Sequence, residues 1–287
     1  MASSPLPAEA ASTQISTPAA ADSNQAGGHK LAITERGAFV DKLTLRRERD
    51  FYEVLCPSLE KQHGIKLLGE WVPAYGGISE EGEKVEGKEK LVLESLVHEF
   101  LRPNVLDVKL GVQFWDEDSS AEKRERMDKE TKRTTSGTTG VRFTAFQVWN
   151  ASEQKVDRVD KTYGKTIKPT DLPSAIRRFF PIPSSSSSPL LSVVRDFISR
   201  LQEFYSLLER LEIRVRGGSL LFVYEGDEQA LRILRESGQK GWQLRMIDFA
   251  HARTILDGES GPDEGLLMGV KTLIKLLNEW VLEVEAL

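Results

Sequence analysis

A single cysteine, Cys56, in 287 residues rules out an intramolecular disulfide framework and fits a reducing compartment. No apolar run approaches the roughly 18 residues that a membrane-spanning helix needs, so no transmembrane segment is expected. The first 29 residues hold no Lys or Arg, which leaves out the basic start of a secretory signal and the arginines of a transit peptide. Rich in Ala, Ser, Pro and Thr and without apolar periodicity, residues 1–25 are expected to be a disordered tail. His63 and His98 show no ligand spacing with Cys56 or with each other, which argues against a zinc site. The formal net charge of −5 argues against direct nucleic-acid binding, while leaving room for a local basic pocket for a small anion.

What the chain does have, 39% hydrophobic and 29% charged residues, is the make-up of a soluble globular protein long enough for two lobes around a cleft. "KLAITERGAFVDKL" reads as a hairpin turning at Glu35-Arg36-Gly37. Residues 44–62 carry Leu45, Phe51, Val54, Leu55 and Leu59 at helical spacing, with Pro57 expected to break the helix. "IKLLGEWV" and "EKLVLESLV" read as strands, and "SSAEKRERMDKETKR" as a charged helix before the strand "GVRFTAFQVWN". "PIPSSSSSP" is expected to be a surface loop leading into an amphipathic helix over 189–211. Strands "GGSLLFVYEG" and "WQLRMIDF" bracket the helix "DEQALRILRESG", and a closing helix starts near Gly265.

Two stretches carry chemistry. In "PNVLDVKLG" alternation puts Leu106, Val108 and Leu110 on one face of a strand and Asp107 and Lys109 on the other. By itself this fits a partly buried salt bridge as well as a ligand cleft. In "MIDFAHA", Asp248 ends an apolar strand, where a carboxylate serves either turn chemistry or a hard cation such as Mg2+. Unpaired buried charge costs several kcal/mol, so three such positions favour a solvated, ligand-filled cleft. Phosphoryl transfer needs this inventory of carboxylate, cation and metal-binding oxygen.

"PNVLDVKLG" matches the P-x-x-x-D-x-K-x-G signature of the inositol polyphosphate kinases. "GGSLLFVYEG" resembles that family's S-S-L-L segment with Gly218 in place of the first serine, and "MIDFAHA" its I-D-F motif. "NQAGGH", "DFYEVL", "YGK" and "DEGLLMGVKTLIKLL" follow in the family's order, so the resemblance covers residues 24–287. The short linker between "VYEG" and "MIDF" is most similar to the compact, fungal- or plant-like form of the multikinase branch.

The resemblance implies an α+β, two-lobed, protein-kinase-like fold, with an ATP-binding lobe over 26–97 and a larger lobe over 98–287. It implies ATP-dependent phosphorylation of inositol tris- and tetrakisphosphates; its alternatives are a hexakisphosphate kinase and a catalytically silent inositol phosphate-binding scaffold. Gly28 would lie in a loop over the ATP phosphates, Lys42 would reach the α/β-phosphates, and Glu94 and Leu96 would hold adenine through main-chain groups. Asp248 would hold Mg2+, with Ser219 the remaining hydroxyl of its segment. Asp107 would orient or deprotonate the attacking hydroxyl and Lys109 would neutralise phosphate charge. Lys123, Arg126, Lys165 and His251 would bind the substrate's phosphates. A monomer in the nucleus, the cytoplasm or both is expected, with phosphoinositide or transcription-factor partners open on family grounds.

Overall fold

The computed structural model describes residues 33–63, 66, 70–81 and 85–287. The expected tail and "NQAGGH", with Gly28, lie outside the described residues. The predicted hairpin forms as β1 (Ile33–Arg36) and β2 (Phe39–Leu45), with Arg36 opposite Phe39. After β2 come α1 (Arg46–Asp50), a wide π turn (Phe51–Leu55) and α2 (Cys56–His63). Pro57 therefore does not end the helix, as the sequence led one to expect. Proline has no N–H to return to the preceding turn, and the π turn absorbs the mismatch, with the Cys56 N–H reaching back to the Phe51 carbonyl. Strands β3 (Tyr75–Ile78) and β4 (Lys88–Glu94) complete an antiparallel sheet of order β1-β2-β4-β3. The described end of "IKLLGEWV" is no strand but a turn, with Val72 in an isolated bridge. There Trp71 stacks on Phe204 at 4.9 Å and carries the Arg200 guanidinium 3.4 Å from its ring.

The larger sheet begins with β5 (Pro103–Leu110). It is followed by α3 (Ala121–Arg133), the short α4 (Ser136–Thr139), β6 (Val141–Asn150), β7 (Lys155–Val159), α5 (Tyr163–Thr166) and α6 (Leu172–Phe179). Helix α7 (Pro189–Leu208), β8 (Ile213–Val215), β9 (Ser219–Glu225), α8 (Glu228–Glu236), β10 (Trp242–Ile247), β11 (Ala252–Thr254) and α9 (Glu264–Glu285) complete the chain. The strand order is β10-β9-β5-β6-β7, with β11-β8 a separate pair. Strand β5 is thus central, which is why its apolar residues are buried on both faces. One register shift interrupts its pairing with β6, between Asp107 and Val108. Such irregularities re-aim a side chain locally.

The core of this half lies between the sheet and helices α6, α7 and α9. Phe197 meets Phe222 edge-on at 5.1 Å, and Trp280 packs on Phe180 at 6.2 Å while donating to its carbonyl at 2.7 Å. Helix α7 stops at Leu208, three residues short of the expected end, yet Leu211 still reaches the core. The glycine of "YGK" has a packing reason. A Cβ on Gly164 would sit 1.7 Å from the Phe143 carbonyl oxygen of β6. Gly164→Ala should therefore destabilise the protein by about 3 kcal/mol or more by overpacking. Chemical denaturation reads this directly, and an unchanged midpoint would contradict the close approach.

Candidate active site

Strand β2 carries Lys42 inward, and α1 begins one turn later, so Glu48 faces it. Lys42 Nζ lies 2.7 Å from Glu48 Oε1 and 2.6 Å from Asp248 Oδ1, which follows β10. Glu48 is buried, accepts a hydrogen bond from Thr44 Oγ1 at 2.6 Å, and accepts the Phe249 N–H at 3.2 Å. These bonds tie the smaller sheet to the larger one. Burial lowers the pKa of Lys42, but Asp248 and Glu48 more than reverse this and hold its ammonium well above the ordinary value. Asp248 adopts a left-handed backbone, φ +68°, a conformation that side chains other than Gly rarely take outside functional turns. Burial raises its pKa, yet Lys42 and Lys109 outweigh burial and keep it below the usual aspartate range.

The Asp107/Lys109 salt bridge does not form. Lys109 Nζ donates instead to the Gly217 carbonyl at 2.6 Å, and Asp107 Oδ1 is buried without a hydrogen-bond partner. Burial pushes the Asp107 carboxyl up to about 6; Lys109 pulls it down, Asp248 adds to the rise, and the Ser219 hydroxyl and Lys42 moderate it. The Ser219 hydroxyl is close enough to act electrostatically but is itself buried and outside ordinary hydrogen-bond geometry. Gly218 is explained by packing: a Cβ there would come within 2.7 Å of Val215 Cγ1 and 2.9 Å of Met246 Cε.

Beyond Lys109 opens a cavity of about 230 Å³, lined among others by Phe114, Met127, Arg142, Arg216 and His251, and reaching Asp248. Arg142 pairs with Glu130 at 2.7 Å and Arg216 with Asp263 at 2.8 Å, while Arg216 Nε is buried without a partner. A larger cavity of about 320 Å³ beside Ile78, Glu81 and Lys90 shares none of these residues.

The sequence-predicted residues fall into place unevenly. Lys42, Asp107, Lys109, Ser219, Asp248 and His251 converge. Lys123 is half-buried near Asp116 and helps lower its carboxyl. Arg126 is exposed and does not line the cavity, and Lys165 is held by Glu130 at 3.3 Å. Glu94 Oε2 accepts the Ala74 N–H at 3.1 Å and its own N–H donates to the Ala74 carbonyl at 2.9 Å, leaving Leu96 buried beside it. Sequence reasoning missed Glu48, Asp116, Arg142 and Arg216. Glu48 was legible in principle as a carboxylate six residues after Lys42, across a strand-to-helix turn. Arg216 directly precedes the glycine pair that enters β9.

The donors fit a divalent metal of the hard kind. Among the described residues no group of three or more His, Cys, Asp or Glu could hold an ion alone. Asp248 and the orphaned Ser219 hydroxyl offer oxygen ligands to an ion that takes its others from water and nucleotide phosphates.

A small antiparallel sheet bonded through a buried Lys–Glu pair to a larger lobe, with aspartates in the cleft, defines a two-lobed phosphotransferase of protein-kinase-like fold. Known proteins narrow this. The model of the inositol polyphosphate kinase family matches residues 90–278. The inositol polyphosphate multikinase of Schizosaccharomyces pombe is 31% identical over 87% of this chain and 93% of its own length. Human inositol hexakisphosphate kinase 2 is 28% identical over 66% of this chain and 51% of its own length. The crystal structure of the Saccharomyces cerevisiae inositol phosphate multikinase in complex with ADP and Mn2+ superposes with a TM-score of 0.71, 30% identity, and coverage of 85% of this chain and 99% of that one. The chain belongs to the inositol polyphosphate kinase family and is an ATP-dependent inositol phosphate kinase.

Proposed function

We propose that the protein is a multikinase that transfers the γ-phosphoryl group of Mg·ATP to free hydroxyls of inositol tris- and tetrakisphosphates. The observation that carries this reading is Asp107: a buried carboxylate with one oxygen left without a partner, two residues from Lys109, which lines a cavity together with Arg142 and Arg216. The whole-length likeness to multikinases supports it over the hexakisphosphate kinases, which align over about half their length. We place the lobe boundary after residue 97, and the protein's work as a monomer in the nucleus and cytoplasm.

In this mechanism Asp107 is ionised at neutral pH, because its carboxyl titrates near 6. It accepts the proton of the attacking hydroxyl as that oxygen bonds to the γ-phosphorus and the bond to the β–γ bridging oxygen breaks. Lys109, fixed by the Gly217 carbonyl, faces charge spreading over the transferring group. Lys42 is the cation for the nucleotide's α/β-phosphates, and Leu96 and Glu94 border adenine. Asp248, with Ser219, would hold Mg2+, which when bound neutralises charge on the nucleotide phosphates. Arg216, Lys123 and His251 receive the phosphates already on the ring; Arg126 and Lys165 are their outer neighbours.

Incubation with Mg·ATP and inositol 1,4,5-trisphosphate, and separately the hexakisphosphate, followed by anion-exchange chromatography, tests the reading. Tetrakis- and pentakisphosphate products are expected. Product from the hexakisphosphate alone would transfer the assignment to a pyrophosphate-forming kinase, and binding without turnover would make the protein a scaffold. Arg216→Ala should raise KM for the inositol phosphate about tenfold with KM for ATP unchanged, as expected for losing one charge-assisted phosphate contact. Arg126→Ala should change it less than about twofold, in keeping with a solvent-screened charge. The reverse order would move the substrate site out of the cavity.

A further inference from the structure

One carboxylate in the cleft has no part in the mechanism above. Asp116 lies in the segment between β5 and α3, is only 8% exposed, and binds three different elements. Its Oδ2 lies 2.6 Å from His251 Nδ1 and 3.3 Å from Arg47 Nη1, and its Oδ1 accepts the Ser119 hydroxyl at 2.6 Å. Arg47 belongs to α1 of the smaller lobe and also pairs with Asp118. His251 follows the Asp248 turn and lines the cavity.

Burial raises the Asp116 carboxyl, but the Ser119 hydroxyl, His251 and Lys123 bring it below the usual aspartate range. An ionised carboxylate only accepts hydrogen bonds. The 2.6 Å contact therefore requires the proton on His251 Nδ1. Because the ring is planar, this also fixes which atom is turned the other way. Nε2 is the ring nitrogen that Asp116 leaves free, on a residue that lines the cavity.

We infer that Asp116 is a positioning residue for substrate: it fixes the tautomer and ring angle of His251 so that Nε2 meets a polar substituent of the inositol phosphate. This rests on the cavity being the substrate site. Arg47 and Ser119 hold the carboxylate itself in place, so the smaller lobe has a hand in the arrangement. The same logic governs metal-bound and catalytic histidines, whose orienting partner commonly changes function by 10- to 100-fold when lost.

Two measurements test it. The chain has four histidines, so long-range proton–nitrogen correlation spectra of histidine-labelled protein can be assigned with a His251→Ala control. In the neutral ring, the Nδ1–H form is expected in the native chain and its loss in Asp116→Ala. A dominant Nε2–H form in the native chain would overturn the inference, whatever the substrate proves to be. Kinetics supply the second readout. Asp116→Ala should raise KM for the inositol phosphate about tenfold and leave KM for ATP within about twofold, an effect of the size seen for second-sphere losses. In a His251→Ala background the same change should cost almost nothing more, because the two residues act as one unit. Ser119→Ala, which removes one bond to the carboxylate and keeps the Asp116–His251 contact, should raise KM for the inositol phosphate clearly less than Asp116→Ala does. Additive losses, or an equal loss in Ser119→Ala, would mean that Asp116 merely supports the loop. If the protein turned over no inositol phosphate, the kinetic arm would fail with the functional reading while the tautomer would still decide the inference.

Discussion

Asp107→Asn is expected to lower kcat by about a thousandfold, the loss typical of removing a general base, while leaving inositol phosphate binding intact and making the protein more stable. The two effects have one cause. Asp107 is 7% exposed, has an oxygen without a partner, and titrates near 6 rather than at its ordinary 3.8. A carboxyl whose pKa is raised on folding destabilises the folded state wherever both states are ionised. Above pH 6 the full cost applies. As pH falls towards 4 the folded chain takes up a proton that the unfolded chain does not, and the cost disappears. A shift of about two units corresponds to about 3 kcal/mol, an upper figure for the nucleotide-free protein. Urea unfolding of the native chain and of the Asp107→Asn variant across pH 4 to 8 should show a gap that opens as pH rises. The acid limb of kcat/KM should likewise fall through about 6, since that constant reports the free enzyme. A variant that is less stable at pH 8, or one that keeps near-native turnover, would remove Asp107 from this role.

How much of this was legible in the sequence depended on how local the signal was. The alternation in 103–110 placed Asp107 and Lys109 on one face, and strand pairing with β9 kept them there. Helices α7 and α9 followed from their apolar stripes, because each turns one continuous face into the shared core, where they pack against each other and the sheet. Pro57 misleads because the cost of a missing N–H is usually a break, and a π turn is an uncommon way to avoid it. The salt bridge left open for Asp107 and Lys109 was settled only by Gly217, a carbonyl 108 residues further along the chain. Arg126 and Lys123 share a motif, but that Lys123 is half-buried near Asp116 while Arg126 is exposed depends on how α3 rests on the lobe. Asp116 was invisible for a related reason: it is one carboxylate in a charged run, and only its tertiary partners separate it from its neighbours.

Glu48→Ala should show what that tertiary context is worth. Glu48 is 1% exposed and accepts bonds from Lys42, Thr44 and the Phe249 backbone. Its removal leaves Lys42 to Asp248 alone and strands a buried N–H and hydroxyl. Breaking a buried pair by deleting one partner costs about 3–5 kcal/mol, and the surviving Asp248 contact puts the expected loss near the lower figure. Lys42 would then be drawn towards Asp248, the carboxylate proposed for the metal, so both nucleotide binding and turnover should suffer. KM for ATP should rise about tenfold and kcat fall about a hundredfold, as expected when a group that positions the phosphates is displaced. Glu48→Gln keeps an acceptor oxygen for the Phe249 N–H, and its amide N–H can donate to the Thr44 hydroxyl, but the charge facing Lys42 is lost. It should recover much of the stability and little of the rate, because folding needs the acceptor whereas phosphate positioning needs the charge balance around Lys42. Initial rates at varied ATP, set beside denaturation midpoints, separate the two contributions. Full recovery of rate in the glutamine variant would show that Glu48 acts on the backbone of the Asp248 turn and not through Lys42.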